Sequence, residues 1–319
     1  IHSLAAGLAL LATTAVLPAC AARARAELRS RELPAPPAGQ RPPGIYLTWL
    51  GTAGVVIDDG TTRIAIDPFV TRDSLGHVLL GRPVESDPEL VDRWLGRSGS
   101  MSLDAVLVTH SHYDHSLDAP TVARRTGAVL IGSDDTLRQA RASRLDSQQQ
   151  RAAQVGVPIS VGRFTITLRP SAHGQPEHFP GHAAEDFHVP ARARDYRTGE
   201  VFSVLVEHPW GTLLHHASAA RKPETYDAST RADVVLLGVA GRYEPEGYLQ
   251  EVVDAVGATR VIPIHYDDFF RSLDRPLHPL PGLDLLELLA TMEQHRPELR
   301  VQTLPLGEPR RVLAAPGEP

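Results

Sequence analysis

One stretch of the sequence reads Ala105-Val-Leu-Val-Thr-His110-Ser-His112-Tyr-Asp114-His115. It begins as an apolar run typical of a buried strand and ends in three imidazoles and one carboxylate. Because side chains alternate beyond a strand end, we expect His110 and His112 to point to one side, with Asp114 and His115 serving an adjacent position. Imidazole and carboxylate groups are ligands that Zn²⁺ prefers. The stretch therefore predicts a metal site with room for two ions side by side.

The rest of the chain alternates between short β-type runs and helical runs. The expected strands are residues 45–50, 55–58, 63–67, 105–109, 128–131, 164–168, 201–207, 212–215, 234–239 and 261–264. The expected helices are residues 88–95, 119–125, 135–143, 245–256 and 283–294. No internal repeat and no glycine-rich nucleotide loop accompany them. This pattern indicates an α/β (α+β) sandwich in a single domain rather than a doubly wound nucleotide-binding fold.

The spacing His-x-His-x-Asp-His after an apolar strand resembles the signature of the metallo-β-lactamase superfamily. Residues 48–54 and 64–69 are similar to the first strands of that family and to its early Asp turn. They look most like the branch that holds ascorbate-6-phosphate lactonase and N-acyl-phosphatidylethanolamine phospholipase D. The resemblance covers about residues 45–270 and implies a four-layer αβ/βα sandwich.

The resemblance also implies a set of metal ligands. The first metal would take His110, His112 and His173, and the second would take Asp114, His115 and His265. Zinc is the first choice for one or two ions, with manganese and iron as alternatives. In the family resembled, a residue in the place of Asp114 also orients the attacking hydroxide and accepts its proton, which makes Asp114 the candidate catalytic residue.

The sequence departs from the family pattern at Ser218, which stands where a bridging Asp is expected. A hydroxyl brings no bridging charge, so we expect the second metal to bind more weakly. His215 or His216 could serve as a replacement ligand, although strand alternation allows only one of them to face the site. Asp67 is a candidate to orient an imidazole ligand, beside the alternative of a plain Asp-Pro turn.

A long, turn-rich stretch, residues 174–200, follows His173. Loops of this length within a domain commonly carry function. We expect substrate contacts there, and a group that protonates the leaving group, with Tyr266 as another candidate for that role. The alternative is an irregular surface excursion with solvent-facing histidines. The ring-bearing residues of this stretch are His178, Phe179, His182, Phe187, His188 and Tyr196.

The first residues predict export. Residues 4–17 form an uncharged apolar run that is too short to span a bilayer comfortably but typical of a secretory signal. Leu17-Pro-Ala-Cys20 follows and resembles a bacterial lipobox, although Pro is unusual at its second place. The alternative is a simple apolar helix with a buried Cys. We therefore expect a signal peptide over 1–19, lipid attachment at Cys20, a flexible linker over 20–44, a hydrolase domain over 45–305 and a tail over 306–319.

The composition constrains the partners. Lys and Arg together number 32 against 38 Asp and Glu, a formal net charge of -6, and no basic tract is present to bind phosphates in series. We expect no nucleic-acid partner, a small-molecule or lipid substrate, and a membrane surface reached through the N-terminal anchor on the periplasmic side of a bacterial envelope. The oligomeric state is not indicated by the sequence.

These observations favour a metal-dependent hydrolase that uses a zinc-activated hydroxide on an ester, lactone or phosphodiester. An envelope location favours a phospholipid-like or other envelope substrate over an intracellular sugar phosphate. A metal-holding scaffold without turnover is the first alternative, because Ser218 replaces the bridging Asp. A di-metal redox protein is the second, and the His-x-His spacing disfavours it.

Overall fold

Two seven-stranded sheets pack face to face in the computed structural model, which describes residues 22–220, 222, 225–241 and 244–318. The strands are β1 (Gly44–Gly51), β2 (Gly54–Asp58), β3 (Arg63–Ile66), β4 (Pro83–Val84), β5 (Ala105–Leu107), β6 (Val129–Gly132), β7 (Gln150–Ala152), β8 (Ile159–Val161), β9 (Phe164–Pro170), β10 (Ala191–Arg192), β11 (Phe202–His208), β12 (Gly211–His216), β13 (Val234–Gly238), β14 (Arg260–Ile264), β15 (Arg300–Val301) and β16 (Arg310–Ala314).

Helices connect the strands and cover the sheets. They are α1 (residues 22–30), α2 (Leu75–Leu79), α3 (Pro88–Arg97), α4 (Tyr113–Ser116), α5 (Ala119–Thr126), α6 (Asp134–Ala142), α7 (Pro245–Leu249) and α8 (Leu285–His295). A π-helical turn, Gln250–Asp254, continues α7. The result is the single-domain α/β sandwich that the sequence predicts, with sheets flanked by helices.

The first sheet has the strand order β16-β1-β2-β3-β5-β6-β7. Strands β1, β2 and β3 form an antiparallel meander, and β5 and β6 run parallel to β3. Side chains alternate between two cores: Ala105 and Leu107 face the second sheet, whereas Val106 faces the outer helices. The buried character of both faces explains why β5 is a continuous apolar run.

The second sheet has the order β15-β14-β13-β12-β11-β9-β8. Strands β12, β13 and β14 are parallel, while β11 is antiparallel to both β12 and β9. Strands β9, β12 and β14 therefore end at the same edge. Because His173, Ser218 and His265 follow these three ends, the topology brings them together, as in α/β sheets whose sites lie beyond the carboxyl ends of the strands.

The expected flexible linker over 20–44 is wrong for the helical part of its described residues. Residues 22–30 form α1, whose Ala24 and Leu28 are buried. The hydroxyl of Thr303 donates to the Leu28 carbonyl at 2.6 Å, which fixes the end of the helix to the domain. Ala, Arg, Glu and Leu are good helix formers, and an i,i+4 apolar pair supplies one face to bury.

The expected tail over 306–319 is also wrong in part, because β16 pairs with the edge strand β1. Val312 of β16 is buried in the main core. An open edge next to β1 would leave backbone donors and acceptors unpaired, and β16 satisfies them. Gly307 and Pro309 precede this strand and Pro316 and Gly317 follow it, which made the strand hard to predict from the sequence.

Among the described residues, no helix combines the length and the apolar character that crossing a membrane requires. The predicted signal peptide and Cys20 lie outside the described residues.

Candidate metal centre

The structure brings the six predicted ligands together in two adjacent groups. His110, His112 and His173 form one group, and in it one ligand atom of each residue lies within 4.8 Å of the others. Asp114, His115 and His265 form the second group under the same limit. The rings of His110 and His115, one from each group, have centroids 3.8 Å apart, so the two groups adjoin.

Local structure explains how the four ligands between His110 and His115 are placed. β5 ends at Leu107 and the chain turns into α4, for which His112 is the N-cap residue. His110 lies in the bend after the strand and His112 on extended backbone, whereas Asp114 and His115 lie in the first turn of a helix. A strand-to-helix transition within six residues aims these side chains at two neighbouring points.

Hydrogen bonds fix which nitrogen of the imidazoles in the first group is free. The hydroxyl of Thr198 donates to the Phe179 carbonyl and accepts from His112 Nε2 at 3.0 Å, which leaves His112 Nδ1 as the ligand atom. His173 Nδ1 donates to the Gly174 carbonyl at 2.7 Å, which leaves Nε2. Such partners orient metal-binding imidazoles and set their tautomers.

Asp67 links the two ligand groups through hydrogen bonds. Its Oδ2 accepts from His115 Nδ1 at 2.8 Å and from the Thr109 hydroxyl at 2.5 Å. The same hydroxyl lies 3.3 Å from His110 Nδ1, for which it is the acceptor. The free atoms are then Nε2 of His110 and Nε2 of His115. The structure thus places Asp67 in the orienting role considered for it, in addition to its turn.

The residues present fit a metal pair. His110 Nε2 is buried and has no hydrogen-bond partner among the described residues. A buried nitrogen lone pair without a partner costs free energy, which a coordinated cation would remove. The donor set of five imidazoles and one carboxylate is that of borderline cations such as Zn²⁺.

The electrostatics of the first group favour neutral imidazoles. Burial and the neighbouring His115 lower the pKa of His110 well below its ordinary value. Burial lowers the pKa of His112 to about 4 and lowers the pKa of His173. These rings are therefore deprotonated at neutral pH, which is the state that binds a metal.

Asp114 supplies the negative charge of the centre. Burial acts to raise the pKa of its carboxyl, but His115 and His265 lower that pKa below its ordinary value. Asp114 Oδ2 lies 3.3 Å from His265 Nε2 and 3.6 Å from His115 Nε2. The carboxylate is therefore ionised at neutral pH and adjoins both partners of the second group.

Ser218 has a different role from the bridging position that its place in the sequence indicates. Its hydroxyl accepts a hydrogen bond from the Gly174 backbone N–H at 2.8 Å. A Cβ on Gly174 would lie 3.0 Å from the Ala219 carbonyl oxygen, so a larger residue would crowd the backbone here. Ser218 thus anchors the segment that carries His173.

Replacing Ser218 with alanine is expected to weaken metal binding at the first group about 10-fold and to lower the free energy of unfolding by about 1–3 kcal/mol. The reason is that the buried Gly174 N–H loses its acceptor and His173 loses its anchor. Metal titration and denaturant unfolding measure the two effects. Ser160→Ala, at an exposed position on β8, is the control. Unchanged affinity in Ser218→Ala would contradict this role.

Neither His215 nor His216 belongs to either ligand group. His215 Nε2 bonds to the Ala53 carbonyl at 2.8 Å. Both nitrogens of His216 are occupied, one by the Tyr226 hydroxyl and the other by the Ala220 carbonyl. The idea that one of them replaces the bridging Asp is therefore wrong for His216 and has no support from the position of His215.

The position of Tyr266 does not support the role of the group that protonates the leaving group. Its ring packs on Trp49 with centroids 4.9 Å apart and lines a cavity beside α1 together with Leu28 and Glu32. Burial raises the pKa of its hydroxyl well above the ordinary value. Its position supports a packing role for Tyr266 rather than a proton donor at the metal centre.

The segment 174–200 contributes to the site mainly through Thr198. Its three histidines, His178, His182 and His188, are exposed, and His182 bonds to Asp135 of α6 at 2.7 Å. Phe187 and Tyr196 pack against each other with centroids 5.1 Å apart. The loop therefore supplies one orienting hydroxyl to the site and a pair of packed aromatic rings, while its exposed histidines fit the alternative of a surface excursion.

A second anchor, which the sequence analysis missed, holds His265. The His265 backbone N–H donates to the Thr52 carbonyl at 2.8 Å, and the Thr52 N–H donates to Asp267 Oδ1 at 2.8 Å. Asp267 in turn forms a buried ion pair with Arg72 at 2.7 Å. His265 and Thr52 both have positive φ, 60° and 51°, a strained backbone conformation found at functional sites.

Comparison with known proteins finds relatives that are named metal-dependent hydrolases. The chain is 29% identical over 228 residues to a UPF0173 metal-dependent hydrolase of Methanoregula boonei, covering 70% of this chain and 82% of that protein. It is 27% identical over 238 residues to another from Anaeromyxobacter dehalogenans, covering 70% and 75%.

Solved structures share the fold. Igni18, a metallo hydrolase from Ignicoccus hospitalis, matches with a TM-score of 0.54 at 19% identity, covering 83% of this chain and 97% of that one. CmlA, a diiron beta-hydroxylase from Streptomyces venezuelae, matches with a TM-score of 0.54 at 14% identity, covering 86% and 55%.

A family model described as Beta-lactamase superfamily domain matches residues 62–266, which is more than half of the chain. The match begins before β3 and ends directly after His265, so it includes all six ligands. The chain belongs to the beta-lactamase superfamily domain family.

Proposed function

We propose that this protein is a metal-dependent hydrolase that cleaves an ester, lactone or phosphodiester bond. The observation that carries the proposal is the pair of adjoining three-ligand groups, in which hydrogen-bond partners leave one nitrogen free on each of four imidazoles. The curated relatives are named metal-dependent hydrolases, which supports the same reaction class.

Two divalent cations in such a site supply Lewis acidity and lower the pKa of water from 15.7 towards about 7. The residues of the chain orient this chemistry. The ionised Asp114 accepts a hydrogen bond from the attacking water and so directs its lone pair at the substrate. Asp67, Thr109 and Thr198 hold the imidazoles in the orientation that the reaction requires.

We propose zinc as the metal, because five imidazoles and one carboxylate form a donor set of intermediate softness. We further propose a substrate of the kind handled by the branch with ascorbate-6-phosphate lactonase and N-acyl-phosphatidylethanolamine phospholipase D. Lipid attachment at Cys20 would place the enzyme at the bacterial envelope. Incorporation of labelled palmitate by the full chain, absent in Cys20→Ser, tests that location.

Metal analysis combined with turnover tests the function. The protein is stripped with a chelator, reloaded with Zn²⁺, and assayed on bis(p-nitrophenyl) phosphate, p-nitrophenyl butyrate and a lactone. About two zinc ions per chain and metal-dependent hydrolysis are expected. One ion without turnover on all three substrates would instead favour the metal-holding scaffold, and native iron would favour redox chemistry. The complete ligand set argues against the scaffold.

A further inference from the structure

An aromatic cluster adjoins the metal centre. Tyr113 stands between the ligands His112 and Asp114 in the sequence, and the ring of Phe269 lies 5.4 Å from the ring of His265. The cluster contains three further phenylalanines and one further tyrosine. Its members are Phe69, Tyr113, Phe187, Tyr196, Phe269 and Phe270.

The hydroxyl of Tyr113 is buried within this cluster without a partner. The residue is 6% exposed, and its ring packs edge-on against Phe69 with centroids 5.9 Å apart. No hydrogen-bond partner for its Oη exists among the described residues. Tyr46 is different, because its hydroxyl donates to the Pro42 carbonyl at 2.7 Å.

An unpartnered buried hydroxyl costs free energy, and phenylalanine would fill the same space without that cost. Folding therefore gives no reason for an oxygen at position 113. Groups of this kind call for a functional explanation. A tyrosine phenol carries its proton at neutral pH, so the Tyr113 hydroxyl is available as a hydrogen-bond donor.

The surroundings indicate what the donor meets. Phe187, Phe269 and Phe270 are only partly buried, so this side of the cluster is in contact with solvent. A flat apolar group would pack edge-to-face among them, as aromatic rings prefer. Because Tyr113 directly precedes the ligand Asp114 and Phe269 packs on the ligand His265, an acceptor oxygen on that group could meet the Tyr113 hydroxyl beside the second ligand group.

We propose that Tyr113 determines specificity: its hydroxyl donates a hydrogen bond to a substrate oxygen at the metal centre, and the aromatic cluster binds an aryl or similar flat apolar group attached to that oxygen. The proposal rests on the proposed function, because it assigns the substrate class of the same site.

Two matched variants test the hydroxyl. Tyr113→Phe is expected to keep or raise the melting temperature while kcat/KM for bis(p-nitrophenyl) phosphate falls about 10-fold or more. Tyr46→Phe removes a partnered hydroxyl away from the site, so it is expected to lower the melting temperature and leave kcat/KM unchanged. A Tyr113→Phe protein that is less stable and equally active would overturn the proposal.

A binding experiment tests the cluster without turnover. Zinc-loaded protein is titrated with phenylphosphonate and with methylphosphonate, which share the anionic group and differ in the ring. Binding of phenylphosphonate is expected to be at least about 10-fold tighter, with the preference reduced in Phe187→Ala and the affinity reduced in Tyr113→Phe. Equal affinities would overturn the proposal even if the protein hydrolyses esters, whereas a ring preference without hydrolysis would count against the proposed function alone.

Discussion

Replacing Asp114 with asparagine is expected to reduce hydrolysis at least about 100-fold and to reduce the bound metal from about two ions to about one. Asp114 is the only carboxylate among the six ligands, so the variant removes the negative charge that balances the cations. Asparagine has nearly the same shape, which separates the loss of charge from a packing defect.

The measurement is metal content by mass spectrometry on the same samples that are assayed for turnover. Asp92→Asn on α3 is the matched control, because its carboxylate is exposed and only forms a surface ion pair with Arg125. The first group, His110, His112 and His173, contains no carboxylate and should keep its ion. If Asp114→Asn retained both ions and full turnover, the assignment of Asp114 to the second group would be wrong.

The sequence predicted the part of the site that depends on local geometry. Four of the six ligands lie between His110 and His115, where a strand end and a helix start suffice to place them. His173 and His265 follow the ends of other strands, so their approach depends on sheet topology. Only the resemblance to a known family indicated them, because no local pattern distinguishes them from other histidines.

The sequence did not predict most of the residues that hold the ligands in place. Thr198 reaches His112 across 86 positions, and Arg72 reaches Asp267 across nearly 200. Threonine and arginine are common in turns and on surfaces, so neither residue type points to such a role. Ser218 was noticed because it departs from a pattern, yet its actual contact, the Gly174 N–H, requires the folded backbone.

The same reason explains why the sequence did not predict α1 and β16. The run of Ala, Arg and Glu over residues 22–30 has no strong apolar period, and α1 forms because the domain offers Ala24 and Leu28 a surface to bury. β16 is stabilised as a strand by its pairing with β1, which would otherwise be an open edge of the sheet. Both elements are set by tertiary contacts, whereas the central strands have their apolar pattern in the sequence itself.

Replacing Arg72 with methionine is expected to lower the free energy of unfolding by about 3–5 kcal/mol, because Asp267 becomes an unpaired buried charge. The side chains of Arg72 and Asp267 are 3% and 2% exposed, so water cannot replace the lost partner. A loss of this size is a large fraction of the about 5–15 kcal/mol that stabilises a typical domain.

The second effect of Arg72→Met reaches the metal centre. Asp267 holds the Thr52 N–H, and the Thr52 carbonyl holds the His265 N–H. When the ion pair is lost, His265 is expected to leave its position and the second group to lose its ion first. Denaturant unfolding of the metal-free protein and zinc titration measure these two consequences separately.

The double variant Arg72→Met with Asp267→Asn separates charge from packing. Asparagine keeps an oxygen for the Thr52 N–H but carries no charge, so the double variant is expected to be more stable than Arg72→Met alone, as a coupled pair requires. The result that would contradict this prediction is an Arg72→Met protein whose free energy of unfolding falls by less than about 1 kcal/mol and which still binds two zinc ions. The ion pair would then contribute no more than a surface salt bridge does, and it would have no part in holding His265.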